Sequence, residues 1–484
     1  MRNLTVFSIL LLLCFSISCS NQRESDYPAK ISDKIDTYLT KAMELHNIPG
    51  LALAVVEGDQ VVYERYLGKS SLEKDAPVDT TTLFRVFSAT KLITSTAVFQ
   101  LIQIGKLSLE DSISTYLDDL PAQWQQIKIK HLLSHASGLP DLIRHESTLS
   151  DKALMEKLSA DKMDFITGSQ FRYNQTNYWL LALIIEKITG MTFDEFVFKN
   201  QFDHSNDGVL FSSNSLEPIP NRAVRYFYNS KTHAFEKDTN NSGQRGHSGN
   251  GLNITLREFI EWNRKLDNHE LLSSEMKSKM WEPFKFTNQK DHFLHGWGNY
   301  PVNELDSYGF SGGNLAAFRK FVNHQTTIIL LSNGYEIPAY DIIINDVARI
   351  AIPELTAKKR TLEEEVMSLA INRRFNEATQ AFMKLKEENP STDFDNLKWN
   401  INSLGNSYLY RENNIEKALE VFKINAEANP SWWVSMASLA ETYELKNDRL
   451  HAIENYQKAI RLNEGNAWNY NEQMKNKIEE LQNN

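Results

Sequence analysis

The sequence is poor in cysteine, with two residues among 484, Cys14 and Cys19. Cys14 lies inside an apolar run at the start of the chain. If that run is removed on export, the mature chain can form no internal disulfide. The exported fold must then be stabilised by side-chain packing and not by cross-links.

A basic run and an excess of positive charge are also missing. The 52 Lys and Arg residues are outnumbered by 62 Asp and Glu residues, which leaves a formal net charge of -10 at pH 7. This balance argues against nucleic acid or an anionic membrane surface as a partner. The histidines have neither the spacing nor the neighbouring cysteines of a zinc site, so the sequence implies no metal and no cofactor.

The composition that is present is typical of a globular protein, with 41% hydrophobic and 24% charged residues. A chain of 484 residues is too long for one ordinary core, and its length predicts two or three domains.

The first residues, MRNLTVFSILLLLCFSISC, are arranged as in an export signal. One cation, Arg2, precedes an apolar run from Leu4 to Phe15, and this run is too short to span a bilayer permanently. The sequence therefore predicts a signal peptide at 1–18. It also predicts an exported protein of the cell envelope, either periplasmic or on the cell surface.

The end of this segment, SISC, resembles the lipobox of bacterial lipoproteins, with Ser16 where leucine is usual. The resemblance implies that Cys19 takes a lipid and becomes the mature N-terminus. A lipid anchor on Cys19 would hold the protein at a membrane through a tether at 19–29. The alternative is an ordinary cleaved signal that leaves Cys19 without lipid.

Strand patterns lie at both ends of residues 30–352, and helical patterns lie between them. An amphipathic helix, KISDKIDTYLTKAMELH, is predicted to stop by Gly50, and a β-hairpin follows with its turn at Gly58-Asp59. A second pair of strands is predicted on either side of 323–325. This arrangement favours an α+β domain whose one antiparallel sheet is closed by its first and last segments.

From residue 361 onward the sequence is rich in helix formers, and a capping box of Thr361 and Glu364 opens the region. Two later segments align with each other, and the aligned pairs are Tyr408 with Tyr443, Ala418 with Ala452, and Phe422 with Tyr456. This spacing resembles tetratricopeptide (TPR) repeats, whose period is roughly 34 residues, and implies an all-α repeat module at 361–484. The alternative is a plain helical bundle. In either case we expect a scaffold or a surface for a protein partner.

The pattern Ser-x-x-Lys occurs four times, at Ser71, Ser88, Ser159 and Ser274. Only the context of Ser88 suits a nucleophile, because the others lie in polar or amphipathic surface segments. The apolar residues after Ser88 predict a buried helix whose first turn holds Ser88 and Lys91 on the same side. A lysine among apolar groups loses affinity for its proton and can act as a base, while the helix N-terminus offers amide donors to an oxyanion.

Four stretches follow one another along the chain in this order: FRVFSATKLITSTAVFQL, IKIKHLLSHASGLPDL, FRYNQTNYWLLALIIEKITGMTFDEF and YGFSGGN. Together they resemble the serine β-lactamase and penicillin-binding-protein superfamily, in particular its class C-like branch. That branch also holds D-aminopeptidases, DD-peptidases and esterases. The resemblance implies the β-lactamase/transpeptidase-like fold for the domain at 30–352.

By this resemblance Ser88 is the acylated nucleophile and Lys91 is its base. Tyr173 would pass protons to the leaving group and help to activate the deacylating water. The strand YGFSGG would lie beside the serine, so that the backbone N–H groups of Ser88 and Gly313 form an oxyanion hole. The residues before Gly313 in this strand, Ser311 and Gly312, would contact the substrate.

Two positions depart from the family's pattern. Gln175 stands where an asparagine is usual, and its longer amide is expected to bind the substrate carbonyl from a shifted position. Phe310 replaces a His or Lys that commonly helps to bind a carboxylate, which phenylalanine cannot do. We therefore expect an uncharged or apolar group there, unless an arginine elsewhere substitutes. His131 and His135 belong to a signature that shapes the site and are expected to have no chemical role.

The sequence thus predicts a serine hydrolase that acts on a small molecule or a peptide. An ester is favoured, then a D-amino-acid amide or peptide, then a β-lactam. The competing hypothesis is a non-catalytic binding protein, in which Gln175 and Phe310 mark a decayed site and the helical repeats act as the binding or scaffold module. The intact set of Ser88, Lys91 and Tyr173 argues against it, because a decayed site usually loses its nucleophile too.

Overall fold

The computed structural model describes residues 29–202, 207–229, 232–288, 293–336 and 338–483. The predicted signal peptide, Cys19 and most of the tether lie outside these ranges. No helix within them is long and apolar enough to cross a membrane.

The strands of the described residues all lie in the N-terminal domain. They are β1 (Gly50–Glu57), β2 (Gln60–Ser71), β3 (Ala76–Pro77), β4 (Phe84–Arg85), β5 (Val209–Phe211), β6 (Tyr226–Asn229), β7 (Ala234–Lys237), β8 (Leu252–Ile254), β9 (Gly298–Asn299), β10 (Tyr308–Gly312), β11 (Ala316–Phe321) and β12 (Thr326–Ser332).

The helices fall into two groups, of which the second forms the helical region that follows the sheet. The first group is α1 (Ala29–His46), α2 (Thr90–Gln103), α3 (Ile129–Leu133), α4 (Asp151–Ala160), α5 (Gln175–Thr189), α6 (Phe193–Gln201), α7 (His247–Asn250), α8 (Leu256–Asp267), α9 (Ser274–Met280) and α10 (Tyr340–Ala351). The second group is α11 (Leu362–Ile371), α12 (Phe375–Glu388), α13 (Asp395–Asn406), α14 (Ile415–Ala428), α15 (Trp433–Leu445), α16 (Arg449–Leu462) and α17 (Tyr470–Asn483).

One antiparallel sheet, in the order β3-β2-β1-β12-β11-β10-β9, is the frame of the N-terminal domain. β1 pairs with β12 from Leu51 opposite Ser332 to Glu57 opposite Thr326, so the first and last segments close the sheet as predicted. Alternate residues of β1 belong to two separate hydrophobic cores, one toward α8 and one toward α1 and α10. Burial on both faces explains why the strand sequence LALAVV is apolar without alternation.

Both predicted turns of this sheet are confirmed. Gly58 follows β1 with a φ of 54°, in the left-handed region that glycine adopts without steric cost. The turn between β11 and β12 contains a 3-10 helix at Val322–His324 and ends at Gln325, whose φ is 50°.

The interior between the two strand pairs is rich in helices, as predicted, but it also contains short strands outside the main sheet. β4, β8 and β5 form a small sheet, and β6 and β7 form a hairpin. The strands of the small sheet are two or three residues long, so they show no periodicity that a sequence pattern could reveal. β4 ends three residues before Ser88 and therefore anchors the chain that leads to the candidate nucleophile.

The helical region is all-α, as expected. The aligned residues Tyr408, Ala418 and Phe422 are buried, and α13 continues into a π-helix at Ser407–Arg411. The hydrophobic core on the α1 and α10 side of the sheet continues without a break into α11 to α15. The two parts of the chain therefore share one core, while the identity of these helices as TPR repeats stays a prediction.

Candidate active site

Ser88 lies in a one-turn 3-10 helix, Phe87–Ala89, and α2 begins at Thr90. The sequence predicted that Ser88 lies in the first turn of α2, but α2 begins two residues after Ser88. Phe87 has a φ of 45°, which a bulky residue rarely adopts, and this turn separates Ser88 from the regular helix. Ser88 is left half-buried, in a turn that packs against both β10 and α2.

Tyr173 reaches Ser88 from the other side of the site. Its hydroxyl donates a hydrogen bond to Ser88 Oγ at 2.7 Å. Desolvation raises the pKa of Tyr173 above its usual value, so the phenol stays protonated at neutral pH. Its ring packs against the His135 imidazole with the centroids 4.4 Å apart.

His135 fixes the backbone around Tyr173. Its carbonyl oxygen accepts the backbone N–H of Arg172 at 3.0 Å, and its Nδ1 accepts the N–H of Asn174 at 3.1 Å. Burial holds the pKa of His135 well below its ordinary value, so the ring is neutral and Nδ1 can accept. The other signature histidine, His131, accepts a backbone N–H at the start of α3. Both histidines thus accept backbone N–H groups, and the absence of a chemical role for them stays a prediction.

Lys91 is completely buried. Its Nζ donates to the carbonyl oxygen of Gly249 at 2.8 Å and to Gln175 Oε1 at 3.2 Å. It also lies 4.8 Å from the ring centroids of Tyr173 and Tyr178. Desolvation lowers the pKa of Lys91 to about 7, so a large fraction is neutral at neutral pH, as a general base requires.

Gln175 is the first residue of α5, directly after the N-cap Asn174. Its amide oxygen accepts from Lys91, which the sequence did not predict. A Cβ at Gly249 would lie 3.0 Å from that oxygen and 3.4 Å from Lys91 Nζ, so a glycine leaves room for the contact. The expected hydrogen bond to a substrate carbonyl would have to come from Nε2, the remaining donor of Gln175.

The end of β10 lies directly against the nucleophile. A Cβ at Gly312 would lie 1.8 Å from the carbonyl oxygen of Val86 and 2.9 Å from Ser88 N, so only glycine permits this approach. Gly313 follows with a φ of 60°, and a Cβ there would lie 2.6 Å from the Phe87 ring. The structure thus brings the strand end and the turn of Ser88 together, and the oxyanion hole of Ser88 and Gly313 stays a prediction.

Phe310 is part of an apolar wall beside Tyr173. It is 5% exposed, and its ring centroid lies 6.3 Å from that of Tyr173 and 5.9 Å from that of Phe293. This wall occupies the place where the resemblance would put a cation.

Arg319, in β11, is a site residue that the sequence analysis missed. Its Nη2 donates to Ser311 Oγ at 2.7 Å and also lies 2.6 Å from Asp341 Oδ1. A guanidinium can only donate, so Ser311 Oγ is the acceptor and its own proton is left to donate to a ligand. The presence of cations in the apolar strand AAFRKF was the available signal.

The other three Ser-x-x-Lys pairs lie in other elements. Ser71 ends β2, Ser159 lies in α4 and Ser274 begins α9. α9 is amphipathic, as predicted: Ser274, Glu275 and Ser278 are exposed, while Met280 is buried. Lys277 lies on the buried face and donates to the carbonyl oxygen of Leu266 at 2.8 Å. In the part of the chain that the structure describes, no group of three or more His, Cys, Asp or Glu side chains is placed to hold a metal ion.

Comparison with known proteins agrees with this geometry. The sequence profile of the Beta-lactamase family matches residues 35–351, more than half of the chain. Penicillin-binding protein 4* of Bacillus subtilis (strain 168) is 27% identical over 326 residues, which cover 62% of this chain and 71% of that protein. The family match ends before α11, so it does not include the helical region.

Two solved structures have a similar fold. The octameric penicillin-binding protein homologue from Pyrococcus abyssi has a TM-score of 0.59 at 20% identity and covers 69% of this chain and 81% of its own. D-amino acid amidase from Ochrobactrum anthropi SV3 has a TM-score of 0.55 at 18% identity and covers 66% of this chain and 98% of its own. At these identities the likeness establishes the fold and not the substrate.

Proposed function

The chain belongs to the Beta-lactamase family of serine hydrolases, and on this premise we propose that it forms an acyl-enzyme on Ser88 with a small ester or amide. Esters are the favoured substrates, followed by D-amino-acid amides or peptides and then β-lactams. One observation carries the proposal. The Tyr173 hydroxyl donates to Ser88 Oγ at 2.7 Å, beside a buried Lys91 whose pKa is lowered to about 7.

In the proposed acylation, Ser88 Oγ attacks the carbonyl carbon while its proton passes to neutral Lys91. The charge that develops on the carbonyl oxygen is stabilised by the backbone N–H groups of Ser88 and Gly313. Tyr173 donates its hydroxyl proton to the leaving oxygen or nitrogen and recovers a proton from Lys91. A water molecule then attacks the acyl carbonyl by the reverse route, which releases the acid and restores Ser88.

The order of substrates follows from the groups along β10. The apolar wall at Phe310 offers no cation to the carboxylate that β-lactams carry, so an uncharged acyl group is favoured there. Ser311, held as a donor by Arg319, suits the carbonyl oxygen of an ester or amide. The charge of Arg319 is itself offset by Asp341 at 2.6 Å.

Intact-mass spectrometry after incubation with a fluorophosphonate tests the proposal. We expect an adduct on the wild-type protein and none on Ser88→Ala. Competition with esters, D-amino-acid amides and penicillin then ranks the substrates. If the folded wild-type protein is not labelled, the hydrolase assignment fails, and the chain is better explained as a binding protein.

Two further parts of the proposal rest on sequence patterns. The helical region is a TPR-like scaffold that binds a protein or peptide partner. Export to the cell envelope with lipid attachment at Cys19 is proposed from the N-terminal pattern alone, and membrane extraction of wild type beside Cys19→Ser tests it. Retention of the Cys19→Ser variant at the membrane would contradict the lipid anchor.

A further inference from the structure

A contact between the helical region and the N-terminal domain lies next to the candidate active site. The guanidinium carbon of Arg172 lies 4.7 Å from the ring centroid of Trp468, and Arg172 directly precedes Tyr173. Trp468 lies in a one-turn 3-10 helix, Ala467–Asn469, just before α17. Tryptophan offers the strongest face for such a cation–π contact.

Arg172 is held on its other side by the N-terminal domain. Its Nη1 lies 2.8 Å from Asp164 Oδ2, whose side chain is 1% exposed. Asp164 is held in turn by Arg144 at 2.7 Å. The guanidinium is therefore fixed between a buried carboxylate and the Trp468 ring, and the loss of either partner would free the side chain next to Tyr173.

Trp468 belongs to a tryptophan cluster, whose other members are Trp399, Trp432 and Trp433. Its ring centroid lies 4.9 Å from that of Trp433 and 5.8 Å from that of Trp399. Its φ of 61° is one that a bulky residue keeps only where surrounding contacts enforce it. The cluster thus connects α13 and α15 to the position of Arg172.

The helical region also contacts the opposite wall of the site. Asn314, directly after Gly313, donates from Nδ2 to Ser407 Oγ at 3.3 Å. The helices therefore contact the residue before Tyr173 and the residue after Gly313. These two neighbours flank the candidate proton donor and the candidate oxyanion hole.

From these contacts we propose that the helical region is an integral part of the hydrolase site and that Trp468 is a positioning residue for Tyr173, acting through Arg172. This inference deepens the proposed function and rests on it for its kinetic test. Without the Trp468 indole, the backbone around Arg172 can move, and the hydrogen bond from the Tyr173 hydroxyl to Ser88 Oγ lengthens. The substrate-binding strand β10 is unaffected, so kcat falls while KM is unchanged.

Hydrolysis of p-nitrophenyl acetate by the full-length protein is the kinetic test. We expect Trp468→Ala to lower kcat by about three- to tenfold, the range that a partly desolvated cation–π contact supports. Trp468→Phe keeps an aromatic face and should retain most of kcat. The matched control is Glu472→Ala, which removes an exposed ion pair with Lys162 at the same interface, 3.7 Å long, and should behave as wild type.

A double mutant distinguishes the loss of the contact between Arg172 and Trp468 from a general loosening of the interface between the helical region and the N-terminal domain. Because Trp468 acts through Arg172, Trp468→Ala added to Arg172→Met should lower kcat no further than Arg172→Met alone. Additive losses, or an equal loss in Glu472→Ala, would overturn the proposal. So would an unchanged kcat in a Trp468→Ala protein with wild-type thermal unfolding.

Hydrogen exchange of the same proteins needs no substrate and keeps this inference distinct from the proposed function. We expect Trp468→Ala to speed exchange of the backbone N–H groups of Arg172 and Asn174, and Glu472→Ala to leave them unchanged. Equal exchange in all variants would overturn the positioning role even if esters are hydrolysed. Faster exchange in a protein that turns over no ester would support the contact and refute the hydrolase assignment.

Discussion

Lys91 Nζ donates a hydrogen bond to Gln175 Oε1 at 3.2 Å, so a position that departs from the family's pattern touches the candidate base itself. A neutral amide oxygen compensates only in part for the water that the buried ammonium has lost. Desolvation therefore dominates and lowers the pKa of Lys91 to about 7. The residue at position 175 should accordingly set the pH at which the site becomes active.

The pH profile of the wild-type protein should follow the titration of Lys91. We expect kcat/KM for a neutral ester to rise with pH and to level off above about 7, because only the neutral amine accepts the serine proton. Lys91→Arg, which stays protonated, should lower kcat/KM by about a hundredfold or more. A profile that is flat between pH 5.5 and 9 would show that Lys91 is not the base.

Gln175→Glu should move this profile in a known direction. A carboxylate at hydrogen-bond distance stabilises the ammonium and raises its pKa, so the rising limb should shift upward by about one pH unit or more. Gln175→Asn introduces no charge and is the matched control. The rising limb of its pH profile should lie near that of the wild type. A limb that does not move in Gln175→Glu would assign the titration to another group.

The sequence predicted the parts of the site that are encoded locally. Ser88 and Lys91 are three residues apart at the start of an apolar helical segment, and β1 and β12 are long apolar strands, so short-range patterns were sufficient. Arg319 and Trp468 were missed, because their roles depend on contacts made by folding: Arg319 with Ser311 across a sheet, and Trp468 with a residue almost three hundred positions earlier.

Phe310→His should shift specificity toward substrates that carry a carboxylate. The imidazole fits within the volume of the phenyl ring, and when protonated it can pair with an anion that phenylalanine cannot bind. We expect the ratio of kcat/KM for a carboxylate-bearing ester to that for its neutral methyl ester to rise by about tenfold, the size of one charge-assisted hydrogen bond. Phe310→Leu keeps the wall apolar and should leave the ratio unchanged. An equal ratio in all three proteins would show that Phe310 lies outside the substrate's reach.

The stability of the junction between the helical region and the N-terminal domain should depend on pH. Glu412, 3% exposed, lines a small cavity with Tyr228 and Leu315 of the N-terminal domain. Burial raises the pKa of Glu412 from its ordinary value of 4.5 to about 8. Because the folded state prefers the protonated carboxyl, its stabilising effect is complete below pH 4.5 and is lost as the pH rises through 8.

Glu412→Gln removes this titration while keeping a neutral side chain of similar shape. The variant should match the wild type near pH 5 and exceed it in free energy of unfolding at pH 8, by at most about 1.4 kcal/mol for each pH unit over which the wild type loses stability. Urea unfolding at the two pH values measures the difference. Glu416→Gln, whose side chain is 71% exposed in the wild type, should keep the wild-type slope. If the unfolding free energy of Glu412→Gln changes with pH as it does in the wild type, the Glu412 carboxyl ionises in the folded protein as readily as in the unfolded chain. The junction is then open to water at this point.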